Sequence, residues 1–252
     1  MGVLNVTPDS FSDGGLFENE DQALEKVKKM LSEGADIIDI GGESTRPGAK
    51  PIKVSDELER IIPVIKKVRN FNEKTFISID TRKSEVMEKA IGLGVNLIND
   101  ISSFEYDKKS LNILQKTNNY ICIMHGGVNK VNLQEGIDYQ NIIFDVINFL
   151  QKKIEILIGN GIEKSRIIID PGIGFRKNPY QDIEILKNLI LLHNLGCPIL
   201  IGASRKSFIG SISHEKNPLK RVCGSATVAV EAVRQGVEIL RVHDIFETNQ
   251  SL

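Results

Sequence analysis

The sequence lacks most features that would take it outside the ordinary globular classes. It has three cysteines in 252 residues, Cys122, Cys197 and Cys223, odd in number and widely scattered. That excludes a disulfide framework, shows no close-paired metal-ligand spacing, and leads to the expectation of a reducing, cytoplasmic setting. Neither sign of charge dominates: 32 Lys and Arg stand against 33 Asp and Glu, a formal net charge of −1. A dedicated nucleic-acid or anionic-membrane binder would carry an excess of basic residues, so neither partner is expected. No uncharged apolar run approaches the roughly 18 residues that cross a bilayer. The opening Met1-Gly2-Val3-Leu4-Asn5 has neither a basic n-region nor a long apolar h-region, and it starts inside a strand-like run. Without a Pro/Gly/Ser-rich linker, a low-complexity segment or a solenoid repeat, the expectation is one domain over residues 1–252.

What the sequence does have is alternation. Eight short apolar runs read as strands: Gly2–Val6, Asp36–Ile40, Phe76–Ile79, Val95–Ile98, Ile121–Met124, Arg166–Ile169, Pro198–Ile201 and Ile239–Val242. Between them lie amphipathic segments. Leu58, Ile61, Ile62, Ile65 and Val68 hold the spacing of a helix that buries one face, with Ser55 as the expected N-cap. Ala23, Val27, Met30 and Leu31 form another, expected to open at Asn19 and stop near Gly34. Eight strands alternating with helices predict a parallel sheet covered by helices. The length matches the roughly 250 residues typical of a TIM (β/α)8 barrel. An open doubly wound sheet would place G-x-G-x-x-G after its first strand, whereas this chain runs into the long polar loop Asn5–Gly15.

Several catalytic motifs are missing. Neither GxxxxGK[ST] nor HExxH occurs, which removes P-loop and zincin chemistry. Gly202-Ala203-Ser204-Arg205-Lys206 ends in lysine where a nucleophile elbow has glycine. Polar chemistry instead follows every apolar run. The series is Asn5, Asp39 with Glu43-Ser44-Thr45-Arg46, Asp80, Asn99-Asp100, His125, Asp170, Ser204-Arg205-Lys206, and Arg241 with His243. In a parallel barrel these ends converge on one mouth. Asp80, Asn99 and Asp170 suit a flat polar heterocycle, because carboxylates accept from ring N–H and amino groups while an amide both donates and accepts. The cations Arg46, Arg205, Lys206, Arg241 and His243 suit an anion such as a diphosphate. Arg82 and Lys83 read as solvated loop charges or ion pairs with neighbours, and His193 and His214 as structural or exposed.

These residues carry a resemblance. The segments Leu4–Gly15, Asp39–Ala49, Ile79–Thr81, Ile98–Ser102, Asp170–Phe175, Ser204–Gly210 and Arg241–Asp244 occur in one order across nearly the whole chain. In them the chain resembles the dihydropteroate synthase family of pterin-binding enzymes. The resemblance implies a (β/α)8 barrel that joins p-aminobenzoate to a dihydropterin carrying a methyl diphosphate. It implies that Asp80, Asn99, Asp170 and Lys206 hold the pterin, with Met124 also lining the substrate. Arg241 and His243 would grip the diphosphate with Thr45 and Arg46, and Asn5 would ligate Mg²⁺. Phe175 and Lys206 would flank the aminobenzoate, with Ser204 nearby, and sulfonamides would compete on that side. Lys206, Arg241, His243 and Asp80 are the implied catalytic set, and the loops containing Asp9–Gly14 and Ser44–Gly48 would close over it.

The departures from the family's pattern are local. Gly126-Gly127-Val128-Asn129-Lys130 follows Met124-His125 in place of a Met/Gly/Pro-rich stretch. Arg176 stands where glycine is common, and Asp182 near a usual Asn. The first strand lacks its usual lead-in and the eighth helix looks incomplete, which leads to the expectation of a piece of a longer bifunctional folate-synthesis chain. The resemblance also implies a homodimer. The alternatives are a methyltetrahydrofolate-binding methyltransferase barrel, which has no need of a diphosphate grip, and a pterin-binding module without turnover.

Overall fold

The computed structural model describes residues 1–7, 16–44, 49–126 and 139–252, with residues 16–19 described for the backbone alone. Its chain order is β1 (Gly2–Asn5), α1 (Leu16–Ser32), β2 (Ile37–Gly41), α2 (Val54–Phe71), β3 (Phe76–Asp80), α3 (Ser84–Gly92), β4 (Leu97–Asp100) and α4 (Lys109–Leu114). There follow β5 (Tyr120–Met124), α5 (Ile142–Gly159), β6 (Ile167–Asp170), α6 (Pro179–Lys187), β7 (Leu200–Ile201), α7 (Ser207–Ser213), α8 (Val222–Arg234), β8 (Ile239–Leu240) and α9 (Ile245–Ser251). All eight expected strands are present within two residues of their expected limits.

The strands close into a ring. β1 to β6 pair in sequence order, all parallel, and β7 pairs with β8. A bridge between Ile169 and Ile199 joins β6 to the β7 segment, and one between Gly2 and Val242 joins the β8 segment to β1. Backbone bonds from Ile169 N to Pro198 O (2.9 Å), Val3 N to Val242 O (3.1 Å) and Val242 N to Met1 O (2.9 Å) complete the closure. This is the (β/α)8 barrel expected from the alternation. Among the described residues no helix is long and apolar enough to cross a membrane.

The pleat explains where the apolar and polar residues go. Isoleucines at alternate positions, such as Ile38 and Ile40, Ile77 and Ile79, Ile121 and Ile123, or Ile167 and Ile169, are buried outward against the helices. Inside the ring, Leu97, Cys122, Ile168 and Leu200 pack together with Phe76, Ile239 and Met1 against them. Two residues further along the same strands stand Ser78, Asn99, Met124, Asp170, Gly202 and Arg241, on the same side of the pleat and nearer the mouth. An apolar floor thus supports a polar upper layer. A pocket of about 270 Å³, lined by Met1, Asp36, Val237 and Ile245 among others, lies at the opposite, N-terminal end of the strands.

Two helix starts differ from expectation. α2 has Lys53 at its N-cap, without a side-chain cap bond, and Ser55 lies inside the helix, bonding Asp56 at 2.9 Å. α1 begins at Leu16, so Asn19 is interior to it. Its end is as expected: Gly34 takes φ +95°, and Ala35 N bonds back to Met30 O at 2.9 Å.

Candidate active site

The site is built on Arg241, the residue after β8. Its Nε–H donates to Asp39 Oδ2 at 2.7 Å and its Nη2 donates to Asp80 Oδ2 at 3.0 Å, so one guanidinium spans the ends of β2 and β3. Asp39 is fully buried and Asp80 nearly so, while the Arg241 side chain keeps 21% of its surface open. Asn99, also buried, reaches Asp39 Oδ2 at 3.5 Å. Burial pushes the Asp80 carboxyl up to about 7 against the pull of Arg241, with Asp39 adding repulsion. Burial also works against the charge on Arg241, but Asp39 and Asp80 outweigh it and hold the guanidinium above its ordinary value. Two of its five N–H groups are used on these carboxylates, which leaves three for an incoming group.

The opposite side is built on β6 and the segments around it. Asp170 Oδ1 accepts from Gly172 N–H at 2.7 Å, and burial raises the Asp170 pKa against Lys206 and that N–H. Lys206 donates to Ile173 O, and its Nζ stands 4.4 Å from the centre of the Phe175 ring. Burial lowers the Lys206 pKa to about 8, with Asp170 opposing. Gly172 must be glycine here. It holds φ +71°, and a Cβ would come within 2.0 Å of His125 O. Gly172→Ala is therefore expected to cost about 2 kcal/mol or more, read as a lower denaturation midpoint. An unchanged midpoint would mean that the close approach is relaxed in solution.

Several expected roles change. Arg205 is already paired with a carboxylate: its Nε donates to Asp244 Oδ2 at 2.9 Å and its Nη2 donates to the other Asp244 oxygen. His243 is not a cation at neutral pH: burial, then the charges of Arg241 and Arg205, lower its pKa to about 4. Its Nδ1 lies 3.1 Å from Ser204 Oγ, and its backbone N–H donates to the same hydroxyl at 3.2 Å, so it is placed to act by hydrogen bonding. Of the two readings of Arg82 and Lys83, the ion pairs hold and the solvated charges do not, since both side chains are buried. Arg82 pairs with Glu43 at 3.1 Å and stacks 3.9 Å from the Tyr106 ring, and Lys83 joins Glu43 (3.1 Å) to Glu57 of α2. Asp100, one residue past Asn99 and on the other side of the pleat, accepts from Ser102 N–H (2.7 Å) and Phe104 N–H (3.0 Å) and so shapes its own loop.

Thr45, Arg46, Asp9–Gly14 and Gly127–Lys130 lie outside the described residues. Met124 is buried at the end of β5, and the Ser103 hydroxyl bonds both its N–H (2.9 Å) and its carbonyl (2.8 Å). His193 is structural, its Nε2 lying 2.9 Å from Gln235 O, and His214 ends α7 with φ +55°. Arg176 takes φ +51°, which explains why glycine suits that position. Sequence reasoning missed Lys177, whose ammonium sits among three carbonyl oxygens beneath the β6 loop. A lysine three residues past a Gly-x-Gly turn gives no pattern that marks it.

Asn5 ends β1 in register with Gly41, which in turn is in register with Asp80. A methyl group on Gly41 would lie 3.7 Å from Asn5 Oδ1 and 3.8 Å from Asp80 Oδ2, so the bare glycine opens a cradle between the two oxygens. Among the described residues no group of three His, Cys, Asp or Glu side chains could hold a metal by itself. Asp80 Oδ2 already accepts from Arg241, so Asn5 Oδ1 is the protein oxygen that fits a hard cation keeping most of its ligands from elsewhere, as Mg²⁺ does.

Known proteins resemble this chain along its length. Residues 1–243 match the family described as pterin binding enzyme. Over 252 residues the chain is 44% identical to a dihydropteroate synthase from Haemophilus influenzae, matching 100% of this chain and 90% of that one. A crystal structure of a dihydropteroate synthase from Clostridium difficile, in the presence of pteroic acid, aligns with TM-score 0.92 and 44% identity, over 100% of this chain and 92% of that one. A Yersinia pestis dihydropteroate synthase in complex with a sulfonamide drug aligns with TM-score 0.93 and 42% identity, over 100% and 90% of the two chains. With its barrel, its polar mouth and this likeness along the whole chain, the protein belongs to the pterin binding enzyme family and, within it, to the dihydropteroate synthases.

Proposed function

We propose that the barrel mouth joins p-aminobenzoate to (7,8-dihydropterin-6-yl)methyl diphosphate, giving 7,8-dihydropteroate and diphosphate, through the residues named above. The observation that carries this reading is the single guanidinium of Arg241 spanning Asp39 and Asp80 beside Asn99. This layer offers carboxylate and amide oxygens to the N–H and amino edge of a pterin. Pteroic acid, present with the Clostridium difficile relative, is a pterin methylene joined to aminobenzoate and so combines both halves of the product.

The enzyme is a transferase. As the C–O bond breaks, its electron pair leaves with the diphosphate and the pterin methylene becomes positive. Asp80 and Asp170 stabilise that charge from buried positions, where electrostatic effects are strong. The three remaining N–H groups of Arg241 take the charge of the leaving group, and neutral His243 adds a hydrogen bond. The aniline nitrogen, held between Phe175 and Lys206, then forms the new C–N bond and releases its proton to water. It is already neutral at pH 7, so no strong base is needed and no covalent enzyme intermediate forms. What the protein provides is position and charge. Mg²⁺, held by Asn5 together with diphosphate oxygens, would supply further neutralisation of the leaving group when bound.

The test is a pyrophosphate-release assay with the dihydropterin diphosphate. Release is expected to need p-aminobenzoate, to fall on chelation and to return with Mg²⁺. A sulfonamide is expected to raise the apparent KM for aminobenzoate and leave kcat unchanged. Release that is independent of aminobenzoate would overturn the reaction, and release insensitive to chelation would remove the metal role.

A further inference from the structure

Lys177 is the buried amine for which the proposed chemistry has no use; burial lowers its pKa to about 7, with Asp182 and Asp170 opposing. Its Nζ donates to three backbone carbonyls: His125 at 3.0 Å, Gly172 at 2.9 Å and Phe175 at 3.0 Å. Three acceptors match the three N–H groups of an ammonium, whereas a neutral amine has only two. Among the described residues Lys177 forms no ion pair within 4.0 Å, and its hydrogen bonds go to carbonyls. Its acceptors come from two segments. His125 follows β5, while Gly172 and Phe175 belong to the loop after β6.

Ile173 anchors that loop in the core, Phe175 N–H donates to Gly172 O at 3.1 Å, and Gly172 N–H donates to Asp170 at 2.7 Å, yet its backbone path is strained. Gly172, Gly174 and Arg176 take φ of +71°, +76° and +51°, so left-handed backbone recurs at every second residue. Such a path persists only where its surroundings over-determine it. Besides those anchors, three side chains from outside the loop hold its backbone. Lys177 holds the carbonyls of Gly172 and Phe175, Lys206 that of Ile173, and Asp182 the N–H of Gly174 at 2.7 Å. Phe175 leaves this loop directly toward Lys206.

We propose that Lys177 is a positioning residue for the aminobenzoate side of the site: it ties the Gly172–Phe175 loop to the end of β5 and so sets where Phe175 stands against Lys206. The proposal rests on the reading that Phe175 lines the aminobenzoate. Lys177 shares no hydrogen bond with Asp39, Asp80, Asn99 or Arg241, and it meets the pterin side only through Gly172, whose carbonyl accepts from Lys177 and whose N–H donates to Asp170. The aminobenzoate should therefore feel its loss directly, and the pterin far less.

The experiment is a double-mutant cycle of Lys177→Met and Phe175→Ala, read as separate KM values for the two substrates. Lys177→Met is expected to raise the aminobenzoate KM by about tenfold or more, the scale of losing well-made charged hydrogen bonds. The KM for the pterin diphosphate should stay within about twofold, well below the scale of a lost contact. Phe175→Ala should raise the aminobenzoate KM too, and the double variant should add nothing to it, because both changes remove the same placement. Equal rises in both KM values, an unchanged aminobenzoate KM in Lys177→Met, or multiplicative effects in the double variant would overturn the role of Lys177. An unchanged aminobenzoate KM in Phe175→Ala alone would instead overturn the reading of Phe175, and the proposal with it. Should Lys177→Met fail to fold, Lys177→Gln, one bond shorter with two N–H donors, takes its place in the same cycle and is judged by the same outcomes.

Discussion

Replacing Arg241 with alanine is expected to cost about 3–5 kcal/mol of stability and at least about 10²-fold in kcat/KM. The stability loss follows from what remains. Asp39 has no exposure and Asp80 very little, and the second oxygen of Asp39 already has no hydrogen-bond partner. Without the guanidinium, two neighbouring carboxylates would share a low-dielectric layer with only the long contact from Asn99. Arg241→Lys separates charge from geometry, because a single ammonium cannot reproduce the fork that reaches both strands. It is expected to recover part of the stability and little of the turnover. Adding Asp39→Asn to Arg241→Ala should also restore stability by removing one unpaired charge, while leaving kcat/KM low. Denaturant midpoints and pyrophosphate release measure the two effects separately. A folded Arg241→Ala variant of wild-type stability would show that the two carboxylates are neutralised by some other means.

The sequence makes the barrel legible because its strands carry two patterns at once. Ile38 and Ile40, or Ile167 and Ile169, are apolar outward, while Asp39, Asn99 and Asp170 sit at inward positions where a core strand would be apolar throughout. A polar residue at the inward end of a buried strand contradicts packing, and such contradictions gather at functional sites. The residues that lie further from that pattern were harder to place. Arg205 and His243 stand in a segment of cations, but whether a cation is free depends on partners distant in sequence, here Asp244 and Ser204. Arg82 and Lys83 look like loop charges until α2 brings Glu57 beneath them. Lys177 bonds only backbone carbonyls, and a carbonyl leaves no trace in residue identity. The expected caps at Ser55 and Asn19 fail for a simpler reason: helices of this length take their ends from packing more than from one side chain.

Lys206→Met is expected to separate function from stability in the opposite direction. The ammonium stands over the Phe175 ring with the Ile173 carbonyl as its hydrogen-bond acceptor, and Asp170 favours its charge. Methionine keeps most of the stem that packs on Gly174 but removes the charge. On the proposed reading that Lys206 serves both the pterin and the aminobenzoate, its loss is expected to lower kcat/KM by about 10²-fold or more. The effect on folding is set by linkage. Burial brings the pKa of this base down to about 8 from an ordinary 10.5, so between those values the unfolded chain holds more protons than the native one. Stability arising from this group therefore rises with pH from about 8 to about 10.5, and its cost is fully present below pH 8. Lys206→Met removes that cost together with the bond to the Ile173 carbonyl, so the variant should stay close to wild type in stability at pH 7 and show a flatter stability profile above pH 8. Loss of stability together with activity would make Lys206 a structural residue. Arg241 carries structure and chemistry in one group, whereas at Lys206 the fold holds a destabilising charge, and only the substrates make use of it.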